Sequence, residues 1–153
     1  MTDPISRGRG GDAHETQVTR LEFAIPSDVR LIEPSVERVA RQCAYFDFTP
    51  RQCSLNVRVA LAEALANAII RGNGGDPEKQ VRVLAVVEDR RLVLEVADEG
   101  PGFDLDACTR DATSDENIER EDGRGLFLMK RLMDRVERFS ENGNVVRLTL
   151  HRP

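Results

Sequence analysis

From Ser54 to Arg71 the chain runs without Gly or Pro and sets Val57, Leu61, Leu65, Ala68 and Ile69 on one helical stripe. It then meets Gly72-Asn73-Gly74-Gly75-Asp76-Pro77, a dense cluster of helix stops. The spacing predicts a helix with one apolar face, which needs a second layer to bury it. Glu63 and Asn67 stand four residues apart within that helix, so they share a face, and Ala64, Leu65 and Ala66 leave them as its strong polar groups.

The second layer is legible in the flanking sequence. Val18 to Ile25 ends in alternation and stops at Pro26, as a strand does. Ser27 and Asp28 can cap a helix that carries Val29, Ile32, Val36, Val39, Cys43 and Phe46, with Pro34 marking its start, before Thr49-Pro50 breaks the pattern. Gln80 to Val87 and Leu92 to Ala97 read as two antiparallel strands joined by a hairpin-length connection. After the acidic segment 105–122, Leu126 to Val136 has helical spacing, and Asn142-Gly143 separates two last strand-like runs. This order predicts an α/β (α+β) two-layer sandwich: a mixed, mostly antiparallel sheet with helices over one face.

A length of 153 residues suits one globular domain. Residues 1–17 are polar and glycine-bearing, the composition of a mobile tail, which leaves 18–153 as the domain. Segment 105–122, rich in acids and poor in apolar side chains, reads as a loop or lid. A net charge of -5 gives no footprint for a phosphate backbone, so no direct nucleic-acid partner is expected. No apolar run is read as long enough to cross a bilayer, and the first residues lack the apolar core of a signal peptide. Cys43, Cys53 and Cys108 lack metal-ligand spacing and read as small hydrophobes in a reduced, cytoplasmic setting.

Three segments carry chemistry. Two oxygen-bearing side chains one helical turn apart, Glu63 and Asn67, suit a metal beside phosphates and a proton acceptor beside a hydroxyl. Asp98 ends an apolar strand and is followed by Glu99-Gly100-Pro101-Gly102, a turn at which a ligand can approach the backbone. Gly123-Arg124-Gly125 opens the second helix with unobstructed N–H groups at its positive end. Taken alone, each has a plain reading: an exposed helix turn, a strand-ending turn and a glycine hinge. Their order is what makes a single nucleotide site the better reading.

In this order and spacing, ExxxN, DxGxG and GxGL resemble the GHKL (Bergerat) ATP-binding fold. The short form and the details of Glu63-Ala-Leu-Ala-Asn67-Ala, Asp98-Glu-Gly-Pro-Gly-Phe-Asp104 and Gly123-Arg-Gly-Leu-Phe-Leu-Met-Lys resemble the RsbW/SpoIIAB family of anti-sigma factor serine kinases. The resemblance implies ATP and Mg²⁺ as cofactors. Asn67 would bind the metal, Asp98 the adenine amino group, and Arg71, Gly100, Gly102, Gly123, Arg124, Gly125 and Leu126 would shape or contact the nucleotide. Glu63 would take the proton from a serine of an anti-anti-sigma (STAS-domain) protein.

It further implies a homodimer that sequesters a sigma factor in a partner-switching pathway. The alternatives are a binding module gated by nucleotide, and a STAS-directed kinase whose output is not a sigma factor. Two departures stand out: Arg71 occupies a place where such relatives often carry His, and Asn144-Val145-Val146 stands where related ATPases place an adenine-contacting Thr. A self-phosphorylating sensor is disfavoured, because His14 and His151 lie in the tail and at the far end of the sequence. A transducer domain of the gyrase or MutL type is not expected either.

Overall fold

The computed structural model describes residues 18–88, 90–101 and 121–153. The tail at 1–17, Gly102 and most of the expected lid lie outside these residues. Five strands form one sheet: β1 (Thr19–Pro26), β2 (Gln80–Val87), β3 (Arg91–Ala97), β4 (Arg135–Ser140) and β5 (Asn144–His151), in the order β1-β2-β3-β5-β4. The expected mostly antiparallel sheet is antiparallel at all four pairings. Among the described residues three α-helices accompany it: α1 (Ile32–Tyr45), α2 (Val57–Asn67) and α3 (Glu121–Leu132).

Strand alternation sorts the side chains. Leu21, Ile25, Val81, Val83, Ala85, Val87, Leu92, Leu94, Val96, Leu148 and Leu150 are buried, and they face the helices. Arg20, Glu22 and Arg82 take the alternate, exposed positions. On that outer face Arg147 bonds Glu95 at 2.7 Å, approaches Glu137 at 3.8 Å, and lays its guanidinium 4.8 Å from the centroid of Phe139.

α1 buries Val36, Val39, Ala40 and Cys43. Pro34 sits in its first turn, where a missing N–H costs nothing. Cys43 and Cys53 are free thiols of the core region, and burial pushes the Cys43 thiol up, so it behaves as an apolar side chain. The β2–β3 hairpin forms as expected. The β4–β5 hairpin turns at Asn142 and Gly143 with φ of 58° and 135°, so the Asn-Gly pair supplies the left-handed backbone the turn requires.

α2 is longer than its regular core. Flanking π-helical turns at Gln52–Asn56 and Ala68–Gly72 make one helical run of 21 residues, Gln52–Gly72, long and apolar enough by composition to span a bilayer. That corrects the reading that no apolar run reaches such a length. Packing explains the apolarity: Val57, Ala60, Leu61, Ala64, Leu65, Ala68 and Ile69 are buried in the core between sheet and helices. α3 also departs from the sequence reading. It begins at Glu121 and ends at Leu132, so Val136 belongs to β4. The chain leaves the helix because the Asp134 N–H is drawn to the Thr149 carbonyl at 2.9 Å, which starts β4 against β5.

Candidate functional site

A cleft of about 270 Å³ opens between α2, α3 and the ends of β3, β4 and β5. Val96 and Val146 form an apolar floor, Leu126 and Met129 a wall from α3, and Asn67 and Arg71 a polar edge from α2. Asp98 and Asn144 close one end. Val96 and Val146 are direct partners across β3 and β5, and Val146 in turn pairs with Arg138. One cross-sheet row therefore supplies both the floor and a cation at its rim.

At the closed end Asp98 is 7% exposed. Its Oδ1 accepts from the Gly100 N–H at 2.8 Å, the Asn144 Nδ2 at 3.0 Å and the Asn144 N–H at 3.3 Å. The Asp98 N–H donates to the Asn144 carbonyl at 2.9 Å, so the residue is held by both main chain and side chain. Among the described residues three donors supply Oδ1 and none supplies Oδ2, which is the oxygen left to accept from a ligand.

Glycines let the backbone close around that carboxyl. A Cβ on Gly72 would overlap Asp98 Oδ2, and a Cβ on Gly100 would overlap the Gly72 carbonyl oxygen. A Cβ on Gly143 would overlap the Asp98 carbonyl oxygen, at a φ of +135° that only glycine adopts readily. The π-helical turn at the end of α2 brings Gly72 there: the Asn73 N–H closes on the Ala68 carbonyl at 2.9 Å, five residues back.

The other end assembles Glu63, Asn67 and Gly125. A Cβ on Gly125 would stand 2.8 Å from Glu63 Oε1 and 3.3 Å from Asn67 Nδ2. The face of α2 carrying both side chains therefore lies directly against the backbone of α3. Among the described residues neither side chain makes a hydrogen bond or ion pair. No group of three His, Cys, Asp or Glu side chains converges among the described residues either. A metal here would be held by Asn67 together with ligand oxygens and water, the habit of Mg²⁺ beside phosphates.

The structure thus gathers Asn67, Arg71, Asp98 and Leu126 around one cleft, with Glu63 and Gly125 beside Asn67 and Gly100 behind Asp98. Gly123 and Arg124 lie near the start of α3, and Arg124 is exposed. Sequence reasoning missed Arg138, Gly72, Gly143 and the buried Asn73. A basic residue in an alternating strand was a weak signal for the first; the others show their role only through distant contacts.

A model of the histidine kinase-like ATPase domain matches residues 25–150. An anti-sigma F factor of Bacillus cytotoxicus is 34% identical over 115 residues, covering 72% of this chain and 77% of its own. The serine-protein kinase RsbW of Bacillus velezensis is 30% identical over 143 residues, 88% of this chain and 86% of its own. Among solved structures, the mycobacterial sensor histidine kinase MprB superposes with a TM-score of 0.50 at 20% identity, over 87% of this chain and 99% of that one, a likeness of fold.

Proposed function

The chain belongs to the histidine kinase-like ATPase family, with the anti-sigma F factors and RsbW-type serine-protein kinases as its relatives, and from that premise we propose how its cleft works. The protein is an ATP-dependent serine kinase and anti-sigma factor. Its substrate protein is an anti-anti-sigma STAS-domain partner, and its captive is a sigma factor, in a cytoplasmic partner-switching cycle run by a homodimer.

One observation carries this reading: Glu63 and Asn67 meet the backbone of α3 at Gly125 while Asp98, in the same cleft system, presents a single spare carboxylate oxygen. Asp98 Oδ2 accepts from the exocyclic amino group of adenine. Val96, Val146, Leu126 and Met129 hold the faces of the base and exclude water. Arg71 and Arg138 add positive charge to a cleft that must hold a polyanion. Asn67 would hold Mg²⁺, which would supply charge neutralisation on the phosphate oxygens.

Glu63 is the general base. Its carboxylate takes the proton of the partner's serine hydroxyl as that oxygen bonds to the γ-phosphorus and the bond to the β-phosphate oxygen breaks, leaving phosphoserine and ADP. Positioning and charge neutralisation do the rest, because phosphoryl transfer asks little covalent chemistry of the protein.

Incubating the purified protein with γ-labelled Mg-ATP and STAS-domain proteins of the same genome tests the reading. Label on a partner serine is the expected result. Tight ATP binding without transfer would replace the kinase by the nucleotide-gated binding module, and pull-down of a sigma factor decides the output.

A further inference from the structure

Asn73 follows the glycine that presses on Asp98 and is 3% exposed. Its Oδ1 accepts from the Glu99 N–H at 2.7 Å, and its Nδ2 donates to Ser27 Oγ at 2.9 Å and to the Gln80 carbonyl at 3.0 Å. Its partners are anchored in turn. Ser27 Oγ donates to the Lys79 carbonyl at 2.7 Å, and Glu99 Oε2 accepts from the Gln80 N–H at 2.6 Å. One buried amide therefore joins the end of α2 to the end of β1, the start of β2 and the end of β3.

The contact to Glu99 matters most. That N–H belongs to the peptide immediately after Asp98, and the next N–H, of Gly100, returns to Asp98 Oδ1 at 2.8 Å. Holding the Asp98–Glu99 peptide plane fixes where the turn begins, and so which oxygen of the carboxyl is saturated and which faces the cleft. A buried amide with three hydrogen bonds is costly to replace, because each partner left unpaired keeps its full desolvation cost.

We infer that Asn73 is a positioning residue for recognition of the nucleobase: it acts through the Asp98–Glu99 peptide to aim Asp98 Oδ2 at the exocyclic amino group. The inference rests on the proposed role of Asp98. Asn73 touches no part of the nucleotide; its effect is confined to the interaction that depends on that amino group.

The test compares binding of ATP with binding of purine riboside 5′-triphosphate, which keeps ribose and phosphates but lacks the 6-amino group, by calorimetry on the full chain. Wild type is expected to prefer ATP. In Asn73→Ala, ATP affinity falls by roughly tenfold while the analogue binds nearly as before, so the preference collapses towards one. Asn73→Asp retains the oxygen that receives the Glu99 N–H, so it keeps the preference even as it loses stability. It also answers the question should Asn73→Ala fail to fold.

Equal loss for both nucleotides in Asn73→Ala overturns the inference and leaves Asn73 as an ordinary structural contact. Loss of the preference in Asn73→Asp overturns it as well. A wild type with no preference for ATP overturns it by removing the role of Asp98 itself, an outcome visible before any variant is made.

Discussion

The two ends of the cleft are built on opposite plans. At the base end Asp98 is enclosed by glycines, receives three hydrogen bonds on one oxygen and is backed by the buried Asn73 network. At the phosphate end Glu63 and Asn67 lie against Gly125 with no hydrogen bond or ion pair of their own among the described residues. On the proposed reading, the hydrogen-bonded end would select the ligand at low entropic cost, and the open end would leave its polar groups to the metal, the phosphates and the incoming hydroxyl. Affinity and chemistry are thereby separable by substitution.

Glu63→Gln should show the largest effect. Transfer to the partner serine falls by about 10²- to 10⁴-fold while ATP affinity holds, since the lost group acts on a proton and not on the nucleotide. Single-turnover transfer and calorimetry on the same preparation check this; equal loss of both would erase the distinction between the ends.

Gly72→Ala comes next and attacks the opposite end. The new methyl group overlaps Asp98 Oδ2, and overpacking of that kind is expected to weaken ATP binding by about 10- to 100-fold. Any transfer that survives at saturating ATP should run near the wild-type rate. A kcat effect larger than the KM effect would mean the base end also sets the chemistry.

Asn67→Ala should cost roughly tenfold in affinity for Mg-ATP and remove the response of ATP binding to added Mg²⁺. Titration with and without the metal reads this directly; an unchanged response would reassign the metal ligand. Asn144→Ala, which deletes one of three donors to Asp98 Oδ1, should be mildest, weakening ATP binding by about 3- to 10-fold with no change in the Mg²⁺ response. An effect as large as that of Gly72→Ala would show that the three donors act as one unit.

The phosphate end was the more legible of the two in the sequence. Glu63 and Asn67 are neighbours by helical geometry alone, and the apolar stripe around them announced the helix. The base end was half legible. Asp98 and its turn are local, but Asn73 and Asn144 reach the site through hydrogen bonds spanning 26 and 46 residues, which local sequence does not show.

The start of α3 was misread for a related reason. The helical spacing of apolar residues begins at Leu126, with Gly123-Arg124-Gly125 as the opening of the helix. In the fold, Gly125 lies close against the ends of the Glu63 and Asn67 side chains, and tertiary packing carries the helix through both glycines back to Glu121. The positive φ of Asn142 and Gly143, by contrast, is a local demand, and the sequence showed it.

The Asn73 network also sets when the site can exist during synthesis. Ser27, Asn73, Gln80 and Glu99 must be joined by Asn144, near the opposite end of the sequence, before the Asp98 carboxylate has its full set of donors. Loop closures of this span come late in folding. A chain still lacking β5 lacks the Asn144 donors to Asp98. A ligand that binds only the finished fold stabilises it by about 2.7 kcal/mol at a hundred times its dissociation constant.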